Sequence, residues 1–197
     1  MEADWAAEIS PDLPCITVPW NVSGSISGEG FIDLRHNSAA IDDIEEAATH
    51  PALREALLTL NSTASPLFTA KCDLWTLSQS EIDPDEFASS PENAQHGTAS
   101  YIDVLCRDLS ACASFEFHER WARRLTDLLR ARDLSHGRVE IVLRPSLVDE
   151  NSGFGLTLYA AGCGASSLDA HHSWQTVLSA AVAATISAVS LLPRAGE

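Results

Sequence analysis

The sequence is poor in positive charge. Of its 197 residues, 12 are lysine or arginine and 28 are aspartate or glutamate, so the formal net charge at pH 7 is −16. Proteins that bind nucleic acids or anionic membranes present clustered Lys and Arg to phosphate groups. From the composition we therefore expect neither a nucleic acid nor an anionic membrane as a partner. Lys71 is the single lysine, while arginine and alanine are plentiful, which we interpret as the base composition of a GC-rich bacterial genome.

The sequence also lacks the usual marks of secretion and of disulfide bonding. Its first residues are acidic and contain neither the basic nor the apolar segment of a signal peptide. The number of cysteines is odd, and no Cys-x-x-Cys pair occurs. We therefore expect a cytoplasmic protein with reduced thiols. The five cysteines are Cys15, Cys72, Cys106, Cys112 and Cys163.

No motif for a metal, a nucleotide or a catalytic triad is present. The seven histidines are scattered, HExxH is absent, and the cysteines do not have the spacing of a zinc site. Walker, Rossmann and Gly-x-Ser-x-Gly sequences are absent too. We therefore predict no metal site, and the sequence assigns neither a cofactor nor a reaction.

A long stretch without Asp, Glu, Lys or Arg covers residues 170–193. It is long enough to cross a bilayer, but it contains several serines, threonines and two histidines and has no basic residues beyond Arg194 as an anchor. We therefore predict a buried helix and no membrane partner. Strongly apolar residues such as Trp174 and Val182 form one stripe, and small residues such as Ala183 form the opposite side. That small side would lie against another helix or a second copy of the chain.

Apolar periodicity predicts an α+β fold. We expect a two-layer sandwich with a mostly antiparallel sheet and helices on one face, in the order ββα-ββα-ββα. The β-α-β-β-α-β order over residues 31–144 is that of a ferredoxin-like fold. The predicted strands cover residues 15–20, 31–36, 67–78, 98–107, 138–144 and 154–161. The predicted helices cover residues 38–60, with a break at Pro51, 115–134 and 166–192.

The domain organisation expected from these elements is simple. Residues 1–14 are predicted to form a loose arm, residues 15–193 a single domain, and residues 194–197 a tail. Residues 21–30 are predicted to be a hairpin loop because they are rich in Gly and Ser. Alternation in the strand at residues 67–78 predicts that Phe68, Ala70, Cys72 and Leu74 share the buried face.

The first candidate site is the turn before the uncharged helix. Backbone amides at a helix N-terminus attract anions, glycines permit close approach of a ligand, and a cysteine there would have a lowered pKa. The alternative, which we favour, is a structural turn that needs glycine for its backbone angles. The candidate ligand-binding residues are Gly162, Cys163, Gly164, Ser166, Ser167 and His171.

The second candidate site is the face of the sheet that the helices do not cover. Carboxylates beside basic and aromatic residues bind polar ligands or transfer protons, whereas cross-strand ion pairs on a solvated face are the structural alternative. The aromatic residues make this face too apolar to be bare, so we expect a second subunit or a ligand to cover it. The residues are Lys71, Asp73, Trp75, Tyr101, Asp103 and Tyr159.

Two functional hypotheses follow from the sequence. In the first, the protein is a bacterial small-molecule binding protein or enzyme whose ligand is anionic. In the second, it is a non-catalytic assembly or regulatory module, a homo-oligomer (expected to be a dimer) that uses the sheet face as its interface.

Overall fold

The computed structural model describes residues 1–10, 12–20 and 30–192. Within them the protein is a mixed α/β structure with six strands in one mostly antiparallel sheet, as the apolar periodicity predicted. The strands are β1 (Glu2–Ala7), β2 (Ile16–Val18), β3 (Leu67–Leu77), β4 (His96–Cys106), β5 (Gly137–Val148) and β6 (Asn151–Gly164).

The strand order is β1-β5-β6-β4-β3, and β2 pairs with β5 beyond the end of β1. The pairs β3·β4, β4·β6 and β5·β6 are antiparallel, whereas β1 and β2 both run parallel to β5. β5 and β6 form a tight hairpin in which Val148 pairs with Asn151, and Asp149 in its turn has a positive φ of 53°. β5, β6 and β4 therefore form the centre of the sheet, and β1 and β3 form its edges.

Five α-helices lie between or after these strands in the described part of the chain. Pro51 occupies the first turn of the second helix, where its missing N–H costs nothing. The side chains of Ser114 and Ser166 accept backbone N–H groups at the starts of the two long helices, as capping serines do. The helices are α1 (Glu45–Thr49), α2 (Pro51–Asn61), α3 (Leu109–Cys112), α4 (Phe115–Arg130) and α5 (Ser167–Ser190).

The main core lies between one face of the sheet and helices α2, α4 and α5. Alternate residues of β4, β5 and β6 are buried against these helices, with Trp121 and Trp174 fully enclosed. Trp174 Nε1 donates to Ser100 Oγ at 2.8 Å, and Trp121 Nε1 donates to the Thr185 carbonyl at 3.2 Å. Both indole N–H groups are therefore satisfied inside the core. Among the described residues, no helix is both long and apolar enough to span a bilayer.

The opposite face of the sheet, which we call the open face, is closed by apolar side chains of the described residues at its two ends. At one end, β2 and α3 contribute to a cluster with Phe68 and Leu105. At the other end, the segment between β3 and β4 packs Ile82 and Phe87 against Cys163. The middle of the open face, between these two clusters, carries the polar and aromatic residues of the second candidate site.

The prediction of a loose N-terminal arm over residues 1–14 is wrong for its first half. β1 pairs residue by residue with the first half of β5, from Glu2↔Arg138 to Ala7↔Leu143. Ala3 is buried in the core, and the Arg130 guanidinium donates to the Ala3 carbonyl at 2.8 Å. A short alanine-rich segment with charged ends does not resemble a strand, and it is ordered by these long-range contacts.

The strand predicted at residues 31–36 is not formed. The segment is irregular and ends in a turn, in which the Arg35 guanidinium and backbone N–H both donate to Asp33. The ferredoxin-like segment that began with this strand is therefore not present. Residues 21–29 of the predicted loop at residues 21–30, Pro193 and the tail at residues 194–197 lie outside the described residues.

Phe68 is also placed differently from the prediction. The register of β3 against β4 shifts between Thr69 and Cys72, which is a β-bulge. Because of the extra residue, Cys72 and Leu74 pack against the helix-covered core, whereas Phe68 joins the apolar cluster at the end of the open face. One inserted residue thus divides the predicted apolar side of the strand between both faces of the sheet.

Candidate functional site

The turn at residues 162–167 is tightly packed rather than open. A Cβ on Gly162 would lie 2.1 Å from the Trp174 backbone nitrogen, and one on Gly164 would lie 2.4 Å from the Ala170 backbone nitrogen. Both glycines therefore let the end of β6 lie directly against the first turns of α5. The missing side chains of these two glycines make room for the helix, which favours the structural explanation of the turn.

The other residues of this turn also have structural partners. Ser166 Oγ accepts the Asp169 backbone N–H at 3.2 Å and donates to the Asp169 carboxylate at 2.6 Å, so an acidic side chain already lies at the positive end of the helix dipole. Ser167 Oγ lies 3.4 Å from His96 Nδ1. Cys163 is completely buried, and this burial raises the pKa of its thiol. The expectation of a lowered thiol pKa is therefore wrong.

His171 lies on the helix side of the sheet, away from the open face. Its ring is 5.5 Å from the His50 ring and 4.9 Å from the Trp174 ring. Burial, followed by the charge of His50, lowers the pKa of His171. The structure therefore does not bring His171 together with the residues of the second candidate site.

The second candidate site, in contrast, forms one contiguous surface in the middle of the open face. Tyr101 on β4 pairs with Asp73 on β3 and with Tyr159 on β6. The centroids of the Tyr101 and Tyr159 rings are 5.9 Å apart, and those of the Trp75 and Tyr101 rings are 6.4 Å apart. The three rings form a half-buried row that crosses three strands.

Asp103 lies beside this row and is the most enclosed acid of the site. It is only 8% exposed, and Thr157 Oγ1 donates to its Oδ1 at 2.6 Å. Burial raises the pKa of Asp103, although the Thr157 hydrogen bond and the positive charges of Arg144 and Lys71 act in the opposite direction. Burial and the charges of Asp103 and Asp73 together raise the pKa of Tyr101 to about 12. Tyr101 is therefore a neutral phenol at physiological pH.

Arg144 forms the border of the site on β5. Its Nη2 lies 2.9 Å from the Glu8 carboxylate and donates to the Tyr159 hydroxyl at 3.3 Å. Its Nε is buried and has no hydrogen-bond partner among the described residues. An unpaired guanidinium N–H is unusual in a structural ion pair, and it gives this side of the site an unused donor.

Asp103 is reached through a cavity of about 380 Å³. Lys71 forms part of its wall and holds its ammonium 4.6 Å from the centroid of the Trp20 ring. Trp20 is fixed in turn, because its Nε1 donates to the Ala70 carbonyl at 2.9 Å. The cavity is lined by Cys15, Ile16, Thr17, Pro19, Trp20, Ala70, Lys71 and Asp103.

Sequence reasoning missed Trp20 and Cys15 as parts of this site. Both flank the three-residue strand β2, which reaches the site only because it pairs with residues 146–148 of β5. No local pattern in the sequence signals such a pairing. The sequence analysis assigned Lys71 and Asp103 to the same face of the sheet but did not predict that they line one cavity. The bulge in β3, which affects the position of Lys71, was not predicted.

No group of three or more His, Cys, Asp or Glu side chains is placed to hold a metal ion in the described ranges. Comparisons of the chain with protein-family models, with curated proteins and with solved structures found no match.

Proposed function

We propose that this protein binds a small anionic molecule in the cavity beside Asp103. The observation that carries the proposal is a cavity lined by both a buried carboxylate, that of Asp103, and the only lysine of the chain. A concave site with a few convergent polar groups and a perturbed pKa is the usual form of a binding site. A cytoplasmic location, which the reduced cysteines predict, fits a metabolite as the ligand.

The charge of the ligand follows from the groups that already face the cavity. The Lys71 ammonium has no ion-pair partner among the described residues, which is also true of Arg107, Arg120, Arg124 and Arg132. Lys71 differs from these four arginines because it lines the cavity beside Asp103. A cationic ligand would meet the positive charge of Lys71, whose ammonium lies over the Trp20 ring. An anionic ligand would instead complete the pairing of Lys71.

The test is native mass spectrometry of the protein purified gently from its own host, as wild type and as two variants. We expect the wild type and Arg54→Met to carry the same additional small mass and Lys71→Met to lose it. Arg54 is the matched control because it pairs with Asp42 on the helix side of the molecule. Equal occupancy in Lys71→Met, or no additional mass in the wild type, would contradict the proposal.

The alternative function is self-association through the open face. It is favoured by the exposed portions of the Trp75, Tyr101 and Tyr159 rings, since contiguous aromatic surface is often covered by a partner. In that case Trp75→Arg should convert a dimer into a monomer in the same spectra. A dimer that persists in Trp75→Arg would remove the open face as its interface.

A further inference from the structure

The middle of the open face offers three chemically different surfaces within one site. Lys71 supplies a positive charge and Asp103 an acceptor, and both line the cavity. Tyr101 and Tyr159 supply ring faces outside the cavity lining, two residues along their strands from Asp103 and its partner Thr157. We infer that the ligand is a planar ring acid with a hydrogen-bond donor, such as a ring N–H, next to its acidic group. This inference rests on the proposed function, because it concerns the chemistry of the same site.

The acidic group is assigned to Lys71. The Trp20 ring holds the ammonium from one side, and Lys71 also lines the cavity. The protein carries a net charge of −16, so most of its surface repels anions, and an acid binds only where a local cation outweighs that field. Arg144, on the far side of Asp103, adds a second positive charge that acts on the same region.

The planar ring is assigned to the aromatic row. The Tyr101 and Tyr159 rings are inclined by 49° to each other, and the Trp75 and Tyr101 rings by 53°. Such tilted rings are not stacked on each other, which leaves ring surface for a third ring to contact. Aromatic contacts contribute about 0.5–1.5 kcal/mol beyond the burial of area, so a planar ring gains more here than an aliphatic group of equal size.

The donor is assigned to the second oxygen of Asp103. Thr157 occupies Oδ1, and no hydrogen bond joins Oδ2 to any described residue. Asp103 lines the cavity, so a ligand in the cavity can reach this carboxylate. Because Lys71 and Asp103 line the same cavity, we place the acid and the donor of the ligand at neighbouring positions on its ring. A ligand acceptor at that position would face the Asp103 carboxylate and would be rejected.

Isothermal titration calorimetry with three probes separates these assignments. Indole-2-carboxylate has the ring, the acid and the adjacent N–H; benzofuran-2-carboxylate replaces the N–H with an oxygen; cyclohexanecarboxylate keeps only the acid. For the wild type we expect indole-2-carboxylate to bind at least tenfold more tightly than either of the other probes. Asp103→Asn should abolish the preference for indole over benzofuran, because its amide can present either a donor or an acceptor.

Variants of the other two groups complete the test, and thermal unfolding shows that each is folded. Tyr101→Leu should weaken the two ring acids but not cyclohexanecarboxylate, whereas Tyr101→Phe, the matched control, should retain the preference for rings. Lys71→Met should weaken all three probes. Equal affinity for all three probes with a loss in Lys71→Met would overturn the ring assignment and leave the proposed function standing. Binding that is insensitive to Lys71→Met would overturn both.

Discussion

The buried position of Asp103 disfavours the charged form of its carboxyl group. The raised pKa means that the folded state releases this proton less readily than the unfolded state does. Stability is therefore lost as the pH rises from the ordinary value of 3.8 through the pKa of the folded protein, and it stays lower above that pKa. A side chain that reduces stability and lies in a cavity has the character of a functional residue.

The first prediction concerns Asp103→Asn. We expect a higher melting temperature than that of the wild type at pH 7 and a difference that shrinks as the pH falls below 4, because both proteins are then uncharged at this position. Differential scanning calorimetry at the two pH values measures it. A lower melting temperature at pH 7 would mean that the attraction between Asp103 and its neighbouring cations outweighs the cost of burial.

For His118 we expect the opposite dependence, in which stability falls as the pH is lowered. The ring is completely buried beside Trp121 and Phe154, Nδ1 donates to the Ser114 carbonyl at 2.9 Å, and Nε2 has no partner among the described residues. Burial lowers the pKa of His118 to about 4 from an ordinary value of 6.5. The unfolded chain therefore binds this proton first, and stability falls as the pH drops from 6.5 towards 4.

His118→Gln should remove that part of the acid sensitivity. Urea unfolding between pH 7 and 5, where most carboxylates are still ionised, measures it as a shallower slope of the free energy of unfolding against pH. The largest effect of one proton is about 1.4 kcal/mol per pH unit. His172→Gln, which changes an exposed histidine on α5, is the control and should retain the wild-type slope.

At the scale of elements, the contact between β6 and α5 depends on a glycine. We expect Gly162→Ala to destabilise the fold by at least the ~1–3 kcal/mol typical of overpacking, because the new methyl group would meet the backbone of α5 at Ser173 and Trp174. Gly97→Ala is the comparison, since the nearest atoms to its methyl group, at 2.9–3.0 Å, belong to the Leu77 and Ile82 side chains and not to backbone, and we expect a smaller loss there. Urea unfolding measures the free energy of unfolding of both variants. An equal decrease in the two variants would argue against a contact between residue 162 and the backbone of α5.

The elements also show which parts of the fold local sequence predicts. The amphipathic helix from Phe115, the break at Pro51 and the hairpin strands were predicted because periodicity, caps and proline act within a few residues. β1 was not, because its order comes from pairing with β5, more than 100 residues away. β2 lies inside the strand predicted at residues 15–20, but its pairing with β5 could not be predicted for the same reason.

For the proposed site, the sequence likewise predicted the features that depend on local pattern. Lys71, Tyr101, Asp103 and Tyr159 were assigned to one face because alternation within a strand is a local property. The cavity was not, because Trp20 reaches Lys71 only through β2 and the bulge at residues 69–72. The turn at residues 162–167 has a glycine pattern that suits an anion site and a close helix contact equally, and only the positions of neighbouring backbone atoms decide between them.

At the scale of the whole molecule, charge governs self-association. Each copy carries a net charge of −16, so two copies repel each other at low ionic strength and less so when salt screens the charges. We therefore expect the proposed homodimer to tighten at higher salt and as the pH approaches the isoelectric point of about 4.6. Sedimentation velocity measures this, and a dimer that loosens with salt would indicate an interface held by ion pairs.

Two variants test which surface of the protein forms the interface of the proposed dimer. Ala183 lies exposed on α5, so Ala183→Glu should leave the melting temperature nearly unchanged and alter the mass in solution only if copies meet through α5. Trp75→Arg tests the open face in the same way. If neither changes the sedimentation of a dimer, both of the surfaces that the sequence suggested are excluded.

The pairing of β1 with β5 has a consequence for synthesis of the chain. β1 is translated first among the strands, yet its partner residues 138–143 follow more than 130 residues later. At about 5–20 residues per second the ribosome needs roughly seven to thirty seconds to supply them. During that interval Ala3 and Trp5 have no sheet to join, and the nascent chain exposes them to chaperones. The β1 segment is thus synthesised before the other described strands, but it can join the sheet as an edge strand only after β5 has left the exit tunnel.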